Sequence, residues 1–244
     1  MLAGCRAQPP LAERGVEVSN TTEAHVARES APPTALNLQI YGSLRAIFHD
    51  NDRAGRVNVR DIAGPHTIGV GALAGLDGEV TLERGRAWIA QPSDTGAIYR
   101  QSANAEDQAC LLVTATVKQW DTARLERDMS LPDLEVWIRE RTPTGAVTPV
   151  LVEGRFADVT WHVMNGEKLG RGSHDHAAHR EAAYREAAQD VDGTLVAFFS
   201  GAHRGVFTHH DSDLHAHVVL PAEGASGHAE AVTVAAGATV SFPH

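Results

Sequence analysis

From residue 36 onward the chain alternates short apolar runs with polar punctuation, and the period of most runs is that of strands. Residues 38–44 read as a strand or a strand passing into a helix, and 57–62 as a short helix or strand. The run Ile68-Gly69-Val70-Gly71-Ala72-Leu73 reads as a buried strand. Asp77-Gly78 is a turn signal between extended runs, residues 86–90 alternate like a strand, and the apolar run 109–117 predicts the central strand of this half. Helical spacing appears at 131–139, with Pro132 near its start. In the second half, 149–156, 159–163, 193–199 and 231–234 read as strands, whereas the acidic, Ala-rich stretch 179–189 is compatible with helix or loop. No internal repeat accompanies this alternation. The pattern predicts a β-dominated α+β protein with few short helices.

Residues 6–35 differ: they are polar, punctuated by proline and lack apolar period, the texture of a flexible linker. Just before them, Leu2-Ala3-Gly4-Cys5 resembles the cleavage box of bacterial lipoproteins, in which the cysteine becomes the lipid-bearing first residue. One reading is therefore a membrane tether through a lipid on Cys5, in the bacterial cell envelope or secreted. The other is an ordinary leader on a cytoplasmic protein. The expected division is 1–35 as leader and linker, 36–145 as an N-terminal β-rich subdomain, and 146–244 as a C-terminal β subdomain.

Composition narrows the partners. The formal net charge is −10, which argues against nucleic acid and anionic membrane surfaces, since both require clustered Lys and Arg. Apolar content of 43% over 244 residues suffices for a sizeable core, and no run approaches the length of a transmembrane helix. Two cysteines, Cys5 and Cys110, provide neither a disulfide framework nor a thiolate metal site.

The candidate chemistry lies in Leu214-His215-Ala216-His217-Val218-Val219-Leu220 and in His228 beyond a Pro- and Gly-rich stretch. Alternate strand residues share a face, so His215 and His217 project side by side, and a turn at 221–227 brings His228 back to open the returning strand. Three imidazoles converging in this way leave a position for water or substrate, as catalytic rather than structural zinc sites do. The competing reading is accident, because 11 of the 14 histidines lie at or beyond residue 162. The apolar strand around the pair and the third histidine favour Zn2+. His174, His176 and His179 form a second cluster that reads as a solvated loop, and His209 and His210 read as a surface loop or the mouth of a pocket.

The order of segments resembles the alpha-acetolactate decarboxylases, bacterial zinc lyases that convert acetolactate to acetoin. The resemblance rests on Gly69-Val70-Gly71 leading to Leu76-Asp77-Gly78-Glu79, on Arg84-Gly85-Arg86-Ala87-Trp88, and on Glu153-Gly154-Arg155-Phe156. Gly193-Thr194-Leu195-Val196-Ala197-Phe198 and the spacing of His215, His217 and His228 complete it, over about residues 38 to 240. It implies two packed β-sheet subdomains, zinc held by His215, His217 and His228, Glu79 as proton donor, and a small 2-hydroxy-3-keto acid as partner. It also implies a homodimer, as family members often form.

Three departures accompany the resemblance. His162 stands where the family has an arginine facing the pocket, and Ala72 where it has a threonine. Sixteen residues follow His228, so a glutamate from the family's longer tail has no counterpart among them. A histidine donates at most one hydrogen bond to a carboxylate and lacks the guanidinium fork. Three readings stay open: a divergent acetolactate decarboxylase with His162 replacing the arginine; another zinc-assisted reaction, such as isomerisation or hydrolysis, on this fold; or a non-catalytic metal-binding envelope lipoprotein.

Overall fold

The computed structural model describes Met1 and residues 36–169 and 176–244. Cys5, the stretch 6–35 and His174 therefore lie outside the described residues. The described residues from 36 onward belong to one compact unit.

Apolar alternation builds two antiparallel sheets. The first contains β1 (Asn37–Tyr41), β2 (Val57–Asn58), β3 (Thr67–Leu73), β4 (Glu79–Glu83), β5 (Arg86–Pro92), β6 (Ala97–Arg100) and β7 (Gln108–Thr116), in the order β1-β7-β3-β4-β5-β6 with β2 also on β7. Strand β7 is an interior strand, one in from the edge carrying β1 and β2, and β3 beside it is buried along its whole length. The second contains β8 (Trp120–Arg124), β9 (Met129–Ser130), β10 (Thr148–Val163), β11 (Tyr184–Phe199), β12 (Leu214–Leu220), β13 (Ala225–Val234) and β14 (Thr239–Pro243). Its order is β8-β14-β10-β11-β12-β13-β9, and β13 also pairs with β10, so four strands close into a ring. The change of sheet falls between residues 116 and 120.

The helices are short: α1 (Leu44–Asp50), α2 (Val59–Ile62), α3 (Leu131–Arg139), α4 (Gly166–Leu169) and α5 (His176–Ala182). Helix α3 starts where expected, with Ser130 and Asp133 forming a capping box and a proline in its first turn. It buries Leu134 and Ile138 in the core of the closed ring.

Two expectations are corrected. Residues 149–156 and 159–163 are one continuous strand, β10. Residues 184–189, whose composition suits helix or loop, begin β11 and pair with β10 from Val163 back to Asp158. Cross-strand pairing overrides local propensity here. Strands β6, β8 and β14 are short edge or near-edge segments whose polar residues hide them from the apolar pattern.

Alternation along β12 decides the architecture of the site. Leu214, Ala216, Val218 and Leu220 point into the core of the ring, while Val219 packs in the core between the two sheets. His215 and His217 share the face of Val219 and so look toward the first sheet. On β4 the same logic runs in the other direction. Val80 and Leu82 enter the core on the far side of the first sheet, leaving Glu79 and Thr81 to face the second.

Candidate metal centre and buried acid

Strand register brings the three histidines together. His217 and His228 are direct partners across the β12–β13 pair, His215 lies two residues before His217, and the connecting turn is residues 221–224. His228 is the fourth residue of β13 rather than its first. Gly227 beside it permits close approach of β13 to β10: a Cβ there would lie 2.6 Å from the His162 carbonyl oxygen. The ring centroids are 4.9 to 5.3 Å apart, and one nitrogen from each ring fits within 4.8 Å of the others.

The hydrogen bonds of these rings leave nitrogens pointing at one another. His217 Nδ1 meets Thr81 Oγ1 at 2.9 Å, while its Nε2 is buried with no hydrogen-bond partner. His215 is hydrogen bonded at the Phe207 backbone, and its Nδ1 is likewise buried and unpartnered. Burial, reinforced by neighbouring imidazoles, pulls the His215 pKa down to about 3 and holds His217 and His228 well below the ordinary value. Neutral imidazoles are the form that ligates a metal, and two orphaned nitrogens beside a third ring are what a cation would satisfy. The donor set suits zinc or another borderline divalent ion.

Glu79 comes from the opposite sheet. Gly78 precedes it at φ 124°, with its Cα so close to the Ala90 carbonyl that a Cβ would collide at 2.1 Å. That backbone turns the chain directly into β4. The Glu79 side chain is buried; its Oε1 accepts from the Met164 N–H at 3.2 Å and its Oε2 lies 3.8 Å from His217 Nε2. Desolvation pushes its pKa up to about 8 against the opposing pull of the Met164 hydrogen bond. An acid that keeps its proton at neutral pH thus sits beside the histidine cluster.

His162 reaches the same place through a change of phase in β10. Val150, Val152 and Phe156 point into the ring core, but so do Val159 and Trp161, so the alternation shifts by one residue between 156 and 159. The β10–β13 register slips there, and opposite it Asp190 adopts φ 60°. His162 consequently faces the first sheet, its Nε2 3.9 Å from Glu79 Oε1 and its ring stacked on His228 at 4.7 Å.

Glu79, His162, His215 and His228 open onto a cavity of about 1020 Å³, with His217 buried behind them. Ala72, directly paired with Glu79, lines it, as do Leu111, Met164, His209 and His210. The two neighbouring histidines expected at a surface loop or pocket mouth are thus part of its wall, with the His209 ring 5.5 Å from His228. His179 of the second cluster also lines it and packs on Phe48.

Three residues of this site escape a reading by motif. Thr81 and Glu230 each lie two residues beyond a candidate, Glu79 and His228, and strand alternation was the available signal. Arg185 sits in the stretch read as helix or loop, so its pairing opposite His162 was hidden. Glu230 binds both His162 Nδ1 and Arg185 Nε at 2.9 Å, and those bonds, His162 first, hold its pKa at about 2.

A strand-built pocket in which three neutral imidazoles meet a buried carboxylic acid defines a candidate open metal centre. The comparisons supply the family. The alpha-acetolactate decarboxylase family model matches residues 41–243, and the chain belongs to that family. The fold is similar to that of alpha-acetolactate decarboxylase from Bacillus subtilis strain 168, with a TM-score of 0.69 and 17% identity over 85% of this chain and 86% of that one. The enzyme from Bacillus subtilis subspecies spizizenii is similar at a TM-score of 0.68 and 17% identity, covering 84% and 85%. A Staphylococcus aureus protein of unknown function similar to alpha-acetolactate decarboxylase gives 0.65 at 17% identity, covering 85% and 84%. No curated protein matches by sequence. Among the described residues, no helix is long and apolar enough to cross a membrane.

Proposed function

We propose that this protein is a zinc-dependent lyase that decarboxylates a 2-hydroxy-3-keto acid such as acetolactate, releasing acetoin in that case. The observation that carries the reading is the pairing of two buried, unpartnered imidazole nitrogens with a protonated carboxyl group 3.8 Å from one of them. His215, His217 and His228 would hold the zinc. When bound, zinc supplies Lewis acidity to the adjacent hydroxyl and carbonyl oxygens of such a substrate.

The chain's own groups then account for the proton. The bond from C2 to the carboxylate breaks, carbon dioxide leaves, and the electron pair stays on the hydroxy-ketone fragment. Glu79 donates its proton to that carbon and regains one from water. Burial serves this role, since a carboxyl group with its pKa near 8 still carries its proton at neutral pH. Thr81 orients His217 by holding Nδ1, which leaves Nε2 on the side of Glu79. His162 lines the pocket beside Glu79, where it contacts the substrate.

The test is release of carbon dioxide and acetoin from racemic acetolactate by the zinc-loaded chain, which we expect. Absence of turnover in protein that holds stoichiometric zinc would overturn the reading. One observation favours a second reading, a different zinc-assisted step on another substrate: His162 lines the pocket where the resemblance places an arginine, and one imidazole lacks the fork that holds a substrate carboxylate.

A further inference from the structure

Glu230 is a carboxyl group on the pocket wall that neither metal binding nor proton donation requires. Its position is built by a bulge. Thr160 pairs with Ala231 and Trp161 with Ala229, which leaves Glu230 as the extra residue of β13. The core-facing positions change phase at the same point, from Ala225 and Ala229 to Val232 and Val234. Bulges of this kind re-aim a side chain. Here the carboxylate is carried over the neighbouring strand, where Oε1 meets His162 Nδ1 and Oε2 meets Arg185 Nε, both at 2.9 Å.

Two partners thus clamp Glu230, and one of them is a histidine whose other nitrogen faces the buried acid. An imidazole whose Nδ1–H is donated to a carboxylate presents Nε2 as an acceptor. The His162 ring plane is set independently, by stacking on His228 at an interplanar angle of 20°. The remaining freedom is the choice of tautomer, and Glu230 is the group placed to make it. We propose that Glu230 is a positioning residue that holds His162 in the Nδ1–H tautomer, with Nε2 presented to Glu79 and to substrate. This rests on the reading of Glu79 as the acid of the proposed reaction. Arg185 anchors the carboxylate without touching His162 Nδ1.

The experiment reads the tautomer directly. In the full chain loaded with zinc, 15N NMR reports the two ring nitrogens of His162, assigned by difference against His162→Gln. The wild type is expected to show a protonated Nδ1 and an unprotonated Nε2. Glu230→Gln retains this pattern, because its amide oxygen accepts the same hydrogen bond. Glu230→Ala loses it, and Arg185→Ala keeps it. On acetolactate, Glu230→Ala lowers kcat by about tenfold or more with KM and zinc content unchanged, and Glu230→Gln restores most of the loss. A wild-type His162 protonated on Nε2 would overturn the proposal even where Glu230→Ala fails to fold. So would wild-type nitrogen shifts in Glu230→Ala, or a Gln variant as impaired as the Ala variant. Should the wild type not act on acetolactate, the NMR result still decides the positioning role, and the proposed reaction fails separately.

Discussion

The two walls of the pocket differ in kind. The second sheet contributes four imidazoles from three adjacent strands, β10, β12 and β13, with ring contacts of 4.7 to 5.3 Å between them. The first sheet contributes one carboxyl group and the hydroxyl of Thr81, both from β4. Burial acts on both walls but with opposite results for charge-bearing forms: it keeps His215, His217 and His228 unprotonated and Glu79 protonated. The three clustered imidazoles and the Glu79 carboxyl group are neutral in the metal-free protein, and a divalent cation would be the largest charge between them. The proposed metal-binding wall and the proposed proton-donating wall can therefore be removed separately.

Breaking the metal wall has the largest expected effect. His217→Ala removes the fully buried ring that also contacts Thr81, and we expect stoichiometric zinc and turnover to be lost together while circular dichroism stays strand-rich. Metal analysis after dialysis checks this, and full zinc content would contradict it. Breaking the acid wall should be cleaner: Glu79→Gln keeps zinc but lowers kcat by about 10²- to 10⁴-fold, the usual worth of a positioned acid. The link between the walls is Thr81, and Thr81→Val is expected to weaken zinc affinity by about 10- to 100-fold, read by competition with a chelator.

A pH effect on stability sharpens the contrast without metal. Glu79 has a folded-state pKa near 8, above its ordinary value of 4.5, so its contribution to stability is complete below 4.5 and is lost as pH rises through 8. In metal-free protein, Glu79→Gln should therefore gain stability relative to wild type across that window, by at most about 1.4 kcal/mol per pH unit, and no further above it. Thermal melting at several pH values measures the gap. A gap that is constant with pH would show that the carboxyl group is not desolvated.

The site was unevenly legible. The triad was readable because its geometry is local: two positions of one strand and a return across a four-residue turn place three rings together with little help from the rest of the fold. Glu79 became a candidate only through the resemblance to a family motif. His162 was placed by the same resemblance, but its contacts were not, because the face it occupies depends on a change of phase within β10. Arg185 was lost through a wrong element type, since Ala- and Glu-rich composition hides a strand that exists only by pairing with β10.

The residues by themselves determined the β-rich class, the histidine hairpin and the helix with its proline start. These are properties of alternation, turn chemistry and capping, all of which act over a few neighbours. Only the tertiary structure decided that β12 turns its histidines outward from the closed ring toward another sheet, and that β4 answers with a buried acid. It also decided that two register slips aim His162 and Glu230 at one another. Those outcomes depend on which sheet face is buried and where a strand gains a residue. Such choices are set by long-range packing, and no window of sequence contains them.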